Sequence, residues 1–286
     1  MTLPEAFCVG AQKAGTTTLS EIFKRHDQVF VPPMKEAHYF ENAPNFEKGP
    51  EWYAAHFADA EPGQLAMDFT PDYLPSDVCA KRIARLCGDD CKIIIALRHP
   101  VDRAFSQYNF YRRYDVEKAP SFEQALEADT VRSFSECQVW HDPKLYVLRS
   151  LYFDAITRFR DVFSPANVLL LKFEDVIALG GQAKAVEQIT RFLGVDPINV
   201  EEGQRSNVTL APPPGAKRTI YSALRQVREP LKRMAPGQSY DRVRKWALGR
   251  ILERPTKLDP TLRQDLFERY FKEDAEKLAT LGIVYT

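Results

Sequence analysis

The chain predicts an α/β fold with a central parallel β-sheet flanked by helices, and three stretches predict it. The first is Phe7-Cys8-Val9-Gly10-Ala11-Gln12-Lys13-Ala14-Gly15-Thr16-Thr17-Thr18-Leu19, an apolar run that breaks into a glycine-bounded loop and then enters a segment of helical spacing. The second is Lys92-Ile93-Ile94-Ile95-Ala96-Leu97, apolar without alternation, as a strand buried on both faces of a parallel sheet must be. The third is Asn167-Val168-Leu169-Leu170-Leu171-Lys172, a further buried strand. Strands of this kind, separated by helix-period segments, read as β-α-β units.

In chain order, Ala6 to Val9 is the first strand. Thr16 or Thr17 then suits the N-cap of a helix reaching Arg25, because Leu19, Ile22 and Phe23 recur at helical spacing. Free N–H groups at that helix start, glycine allowing close approach and the charge of Lys13 suit a phosphate or sulfate group. The loop is P-loop-like, with Gly10 and Gly15 placed as in G-x-x-x-x-G-K-[ST], but Thr16 holds the lysine position and the lysine has moved back to Lys13. ATP hydrolysis with hydroxyl-bound magnesium is therefore disfavoured, and an anion without an obligatory metal fits better.

Val29-Phe30-Val31 is a short strand ended by Pro32-Pro33. It leads into Met34-Lys35-Glu36-Ala37-His38-Tyr39-Phe40, where Glu36 and His38 are proton-transfer candidates that share a face only if the chain is extended. On the residues alone, Lys35 and Glu36 read rather as solvated loop charges. Phe46 to Ala60, with Trp52, Tyr53 and Phe57 at helical spacing, reads as core packing. Leu65 to Phe69 is a strand that delivers Thr70-Pro71-Asp72-Tyr73 to a loop expected to rim an acceptor site, and Asp77 to Leu86 is a helix returning to the Ile93 strand.

After that strand, Pro100 suits the first helical position and Asp102 the positive helix end. Arg98 at the strand's carboxyl end and Ser106 in the first two turns of the helix lie near the crevice where open α/β sheets bind ligands. Arginine clamps phosphate bidentately and serine adds a donor. Tyr108, Tyr111, Arg112, Arg113 and Tyr114 crowd the helix end, as in an anionic sugar groove or under snorkelling arginines. Phe122 starts a helix, Lys144 to Arg160 reads as one amphipathic helix, Phe173-Glu174-Asp175 as a turn, and Ala183 to Leu193 as a helix ended by Gly194. Arg205 to Arg218 is a proline-rich loop, and Thr219 to Leu281 reads as three helices, locally basic through Arg225, Arg228, Lys232, Arg233, Arg242, Arg244, Lys245 and Arg250.

Two of these motifs, in this order, resemble the sulfotransferases that use 3′-phosphoadenosine 5′-phosphosulfate (PAPS). Gln12-Lys13-Ala14-Gly15-Thr16-Thr17 is similar to their 5′-phosphosulfate loop, and Arg98-His99-Pro100-Val101-Asp102-Arg103-Ala104-Phe105-Ser106 to their 3′-phosphate motif. Lys35-Glu36-Ala37-His38-Tyr39-Phe40 and Asp68-Phe69-Thr70-Pro71-Asp72-Tyr73 match segments of the carbohydrate branch that includes heparan sulfate sulfotransferases. The resemblance implies PAPS as sulfuryl donor and 3′-phosphoadenosine 5′-phosphate (PAP) as product, with no metal. It implies a cofactor site of Gln12, Lys13, Ala14, Gly15, Thr16, Thr17, Thr18, Arg98 and Ser106, with Lys217 and Arg218 on a late basic loop closing over the 3′-phosphate. It implies Lys13 as charge stabiliser, Glu36 as general base with His38 as the rival proton carrier, and Glu36, Asp68, Asp72 and Tyr73 toward the acceptor. The chain departs from the heparan type at Asp68-Phe69-Thr70-Pro71, where those enzymes commonly carry Glu-Lys-Thr-Pro, so their substrate-binding lysine is absent.

The 286 residues suit one domain, an α/β core over 1–200 with a loop and helical C-terminal extension over 201–286. Lys plus Arg and Asp plus Glu both total 39, so no overall basic field points to nucleic acid as partner. The acceptor is expected to be a carbohydrate or small metabolite, sulfated on a hydroxyl by in-line displacement, an amine being second choice. No leader or spanning run is read, and peripheral membrane contact stays open. Animal relatives work in the Golgi behind an anchor, so a cytoplasmic, bacterial-type enzyme is expected here. The five cysteines lack zinc-ligand spacing and read as free thiols, Cys87 and Cys91 being a pair only if oxidised. A small-molecule kinase would instead show magnesium-dependent ATP turnover, and a non-catalytic nucleotide module would bind cofactor without transfer.

Overall fold

A computed structural model describes residues 1–114, 116–129, 144–177, 181–200 and 257–285 and the single positions 221 and 253. Strands β1 (Ala6–Gly10), β2 (Val29–Phe30), β3 (Leu65–Phe69), β4 (Lys92–Leu97) and β5 (Val168–Lys172) pair in the order β2-β3-β1-β4-β5. Every pairing is parallel, with Phe7 beside Asp68 on one side and Ile93 on the other. The unalternating apolar runs are explained by position: β1 is central and buried throughout, and β4 is buried from Ile93 to Leu97. The chain visits β2 and β3 on one flank of β1 and then crosses to β4 on the other. The crevice beyond the carboxyl ends of β1 and β4 is therefore the topological switch point, where such sheets bind ligands.

Helix α1 (Thr16–Phe23) begins one step from where the sequence places its cap. The N-cap is Gly15, at φ 87°, and Thr16 is the first helical residue. Leaving the loop requires a left-handed residue, which glycine adopts without a Cβ penalty. A Cβ there would also lie 3.0 Å from Val176 Cγ1. At Gly10 the constraint is close packing, since a Cβ would sit 2.6 Å from Leu74 Cβ. Gly10→Ala is expected to destabilise the fold by about 1 to 3 kcal/mol through overpacking, measured as a lower Tm in thermal unfolding.

Between the strands run α2 (Ala43–Phe46), α3 (Pro50–Ala54) with a 3-10 turn at Ala55–Phe57, α4 (Cys79–Cys87), α5 (Pro100–Arg113) and α6 (Phe122–Glu127). Pro100 does open α5. The segment expected as one helix over Lys144 to Arg160 instead divides into a 3-10 turn, Leu148–Ser150, and α7 (Phe153–Phe163). The break follows from buried polar groups. Arg149 turns inward to pair with Asp72, Ser150 Oγ accepts from Arg103 Nε at 2.5 Å, and Leu151 is extended. Phe173-Glu174-Asp175, expected as a turn, opens the short helix α8 (Phe173–Ile177), and α9 (Gly181–Leu193) follows.

At the carboxyl end, α10 (Pro260–Tyr270) is capped by Asp259, whose Oδ1 accepts from the N–H groups of Thr261 and Leu262, and α11 (Lys272–Ala279) follows. Leu278 joins the core around the sheet, while Leu266 and Phe271 join a second cluster with Val101, Tyr108, Phe122 and Tyr146. Lys217, Arg218, Cys137 and the basic positions from Arg225 to Arg250 lie outside the described residues. Among the described residues, no helix is long and apolar enough to cross a membrane. Cys91 Sγ donates to the Cys87 carbonyl, and neither sulfur is bonded to another cysteine.

Candidate active site

Three loops leave the carboxyl ends of β1, β2 and β4, and all three bring charge to one place. In the first, the opening helical bond runs from Leu19 N–H to the Gly15 carbonyl at 3.2 Å, so the N–H groups of Thr16, Thr17 and Thr18 have no acceptor within the helix. They form the positive end of α1. Lys13 is left-handed at φ 72°, and its Nζ lies 4.2 Å from the centre of the Phe110 ring. Burial, reinforced by Arg98, lowers the Lys13 ammonium to about 8, against the pull of Glu36 and with further push from Arg103 and Lys35. A desolvated cation among cations gains from an anion placed beside it.

From the end of β4, Arg98 reaches back across the crevice. Its Nη1 donates to the Lys13 carbonyl at 3.2 Å, its guanidinium lies 4.4 Å from the centre of the Phe173 ring, and Tyr152 Oη donates to its carbonyl at 3.0 Å. Burial lowers its pKa as well. Ser106 stands four residues before Phe110 on α5, hence on the same helix face as the ring beneath Lys13. Arg103 is fully buried, donating from Nη2 to the Tyr146 carbonyl at 2.8 Å, with Nη1 unpartnered.

The loop after β2 carries the acids. Glu36 at φ 67° and His38 at φ 49° are both left-handed, and among the described residues the other non-glycine positions with positive φ are Lys13 and Ser164. Backbone held in that sparsely populated region tends to gather at working sites. Lys35 Nζ pairs with Glu36 Oε1, and His38 Nε2 lies 3.6 Å from Glu36 Oε2. The other ring nitrogen, Nδ1, is 2.5 Å from Glu41 Oε1 and 3.9 Å from Asp72 Oδ2, whose partner oxygen pairs with Arg149.

Burial alone would raise the Glu36 pKa, but His38 and Lys35 outweigh it and bring it down to about 2. For His38, burial favours the neutral ring, yet Glu36, Glu41 and Asp72 together raise it to about 10. At neutral pH the imidazole is thus a cation and Glu36 an anion. His38, Glu41 and Asp72 bring potential ligand atoms within 4.8 Å of one another. With the imidazole protonated, His38 and its carboxylate neighbours form an ion-pair network.

Two expected acceptor residues lie elsewhere. Asp68 is 2% exposed and accepts hydrogen bonds from Tyr53 Oη (2.7 Å), Thr70 Oγ1 (2.6 Å) and Tyr73 Oη (2.9 Å). Tyr73 is fully buried. With its acceptor capacity met and burial raising its pKa, Asp68 ties β3 to the aromatic core and does not rim the site. Asp72 alone of that loop reaches the charge network. Sequence reasoning did not single out Glu41 or Arg149. Glu41 was legible as a carboxylate three residues beyond His38, whereas Arg149 stands 77 positions from Asp72 and left no local signal.

Residues 3–211 match the family model described as the sulfotransferase domain. The mouse protein named heparan sulfate glucosamine 3-O-sulfotransferase 5 is 34% identical over 106 residues, which are 37% of this chain and 30% of that protein. The Dictyostelium discoideum protein named membrane-associated sulfotransferase kil1 is 33% identical over 129 residues, 44% of this chain and 27% of that one. The chain thus spans less than a third of the length of these curated relatives. In fold it is similar to the crystal structure of a sulfotransferase from Alicyclobacillus acidocaldarius, at a TM-score of 0.70 and 22% identity over 100% of this chain and 98% of that one. Since the matched segment takes up well over half of the 286 residues, the chain belongs to the sulfotransferase family.

Proposed function

We propose that this chain moves a sulfuryl group from PAPS to a hydroxyl of a carbohydrate or small metabolite, with an amine as the lesser alternative. The observation that supports it most is the meeting of Lys13, Arg98 and Glu36 at the switch point, each from a different strand end. Desolvated cations with lowered pKa values, beside helix N–H groups lacking a helical acceptor, fit a ligand carrying several anionic groups. When bound, PAPS supplies the sulfuryl group and is left as PAP.

In this reading Lys13 and the N–H groups of Thr16, Thr17 and Thr18 hold the 5′ side, with Gln12, Ala14 and Gly15 shaping the loop. Arg98 and Ser106 hold the 3′-phosphate, charge-assisted bonds of this kind contributing roughly 1.5 to 3 kcal/mol each. Glu36 takes the acceptor's proton on its carboxylate. His38, already protonated, orients Glu36 instead of competing with it as the base. An acceptor hydroxyl approaching Glu36 competes with Lys35 for the same carboxylate, and loosening that pair raises the basicity of Glu36 when it is needed. The heparan-type lysine position is Phe69, 2% exposed inside β3, so an acceptor-binding cation must come from another element.

The test is a transfer assay with radiolabelled PAPS and the full chain against oligosaccharides, glycolipids and small alcohols. Label transfer to an acceptor is expected. Magnesium-dependent ATP turnover without PAP binding overturns the reading.

Lys13 adds a pH signature. In the free protein it loses its proton around 8, whereas a bound anion restores it, so binding takes up a proton above that pH. PAP affinity is expected to fall by up to about tenfold per pH unit above 8. Calorimetry in buffers of different ionisation enthalpy measures the proton directly, and Lys13→Met is expected to abolish its uptake.

A further inference from the structure

The carboxyl-terminal helices lie beyond the sulfotransferase match, which ends at residue 211, yet they close on the segment that carries Arg98. From α10, Arg263 spans both oxygens of Asp102 at 3.2 to 3.3 Å, and the ring of Phe267 lies 5.2 Å from that of His99. The ring of Tyr285 meets that of His99 edge-on at 5.6 Å. From α11, Asp274 accepts from Tyr152 N–H at 2.9 Å through Oδ2 and from Phe153 N–H at 3.0 Å through Oδ1. Those are the first N–H groups of α7, which have no acceptor of their own inside the helix. Tyr152, seated at the cap, is 1% exposed and donates its hydroxyl to the Arg98 carbonyl at 3.0 Å.

These contacts form one line. A carboxylate on α11 sets the start of α7, the start of α7 sets Tyr152, and Tyr152 sets the backbone of Arg98 at the point where β4 ends. The guanidinium itself has weaker holds, a 3.2 Å bond to the Lys13 carbonyl and the face of Phe173. Where its side chain points therefore depends on where its backbone is fixed.

We propose that Asp274 is a positioning residue for the 3′-phosphate clamp, acting on Arg98 through the N-terminus of α7 and the Tyr152 hydroxyl. The proposal rests on the PAPS reading above. It makes selection of a 3′-phosphorylated nucleotide a joint property of the matched domain and the carboxyl-terminal helices.

The test is calorimetric binding of PAP and of adenosine 5′-phosphate, which lacks the 3′-phosphate, to the full chain. Tyr152→Phe and Asp274→Ala are each expected to weaken PAP by about three- to tenfold, the worth of one lost hydrogen bond, and to leave adenosine 5′-phosphate unchanged. Asp274→Asn, whose amide oxygen accepts one of the two N–H groups, is expected to fall between. A purely structural role lowers Tm and shifts both ligands alike, so an unchanged affinity ratio in Asp274→Ala overturns the proposal. Should that variant not fold, an unchanged ratio in Asp274→Asn overturns it equally. If the unaltered chain binds both nucleotides equally, the PAPS reading itself fails and takes the proposal with it.

Discussion

Glu36→Gln is expected to lower kcat by about 10² to 10⁴, the usual cost of removing a general base, while PAP binding stays within error. The substitution keeps the shape of the side chain and an oxygen that still accepts from Lys35, but the amide cannot take a proton. Because His38 and Lys35 together hold Glu36 near 2, the carboxylate is ionised throughout the working pH range. The acid limb of the rate profile should therefore come from other groups. The electrostatics also separate Glu36 from its neighbour. His38, raised to about 10, keeps its ion pairs below its ordinary pKa of 6.5 and gives them up only as pH climbs through 10. His38→Ala should then act through the orientation of Glu36 and cost less than Glu36→Gln. Near-normal turnover in Glu36→Gln together with loss of activity in His38→Ala would reverse the assignment.

Lys13→Met is expected to cost about 10² to 10³ in kcat, as for a removed stabiliser of developing charge, and to do so without lowering Tm. The methionine keeps an apolar stem over Phe110 and removes a charge that burial and Arg98 already disfavour. Loss of rate together with equal or higher Tm separates a residue retained for chemistry from one retained for packing. A fall in Tm as large as that of Gly10→Ala, with turnover preserved, would make Lys13 structural.

The side of this site that carries Lys13 and Arg98 was legible because it is local. One loop and one strand end carry it, and the apolar runs before each identify buried parallel strands from composition alone. The pairing of Glu36 with His38 was legible as a spacing, though its geometry was not, since both residues adopt left-handed backbone that no side-chain pattern announces. What failed to show depends on distant partners. Asp68, near the end of its strand, reads as an acceptor-side acid until Tyr53 and Tyr73 are seen to enclose it. The break at Leu151 is invisible without Asp72 and Arg103, and Asp274 stands more than 120 positions from the N–H groups it caps. Periodicity reports which face of a segment is apolar and carries nothing about which buried charge will answer another.

The two halves of the site rest on unequal foundations. Lys13 and Arg98 spring from neighbouring interior strands, while Glu36 follows β2, which has two residues and lies at the sheet margin. Marginal strands are the least anchored by ladder bonds and the freest to shift as flanking residues change. On the proposed reading, drift in the choice of acceptor can proceed along that margin and leave the nucleotide grip proposed for the middle of the sheet undisturbed.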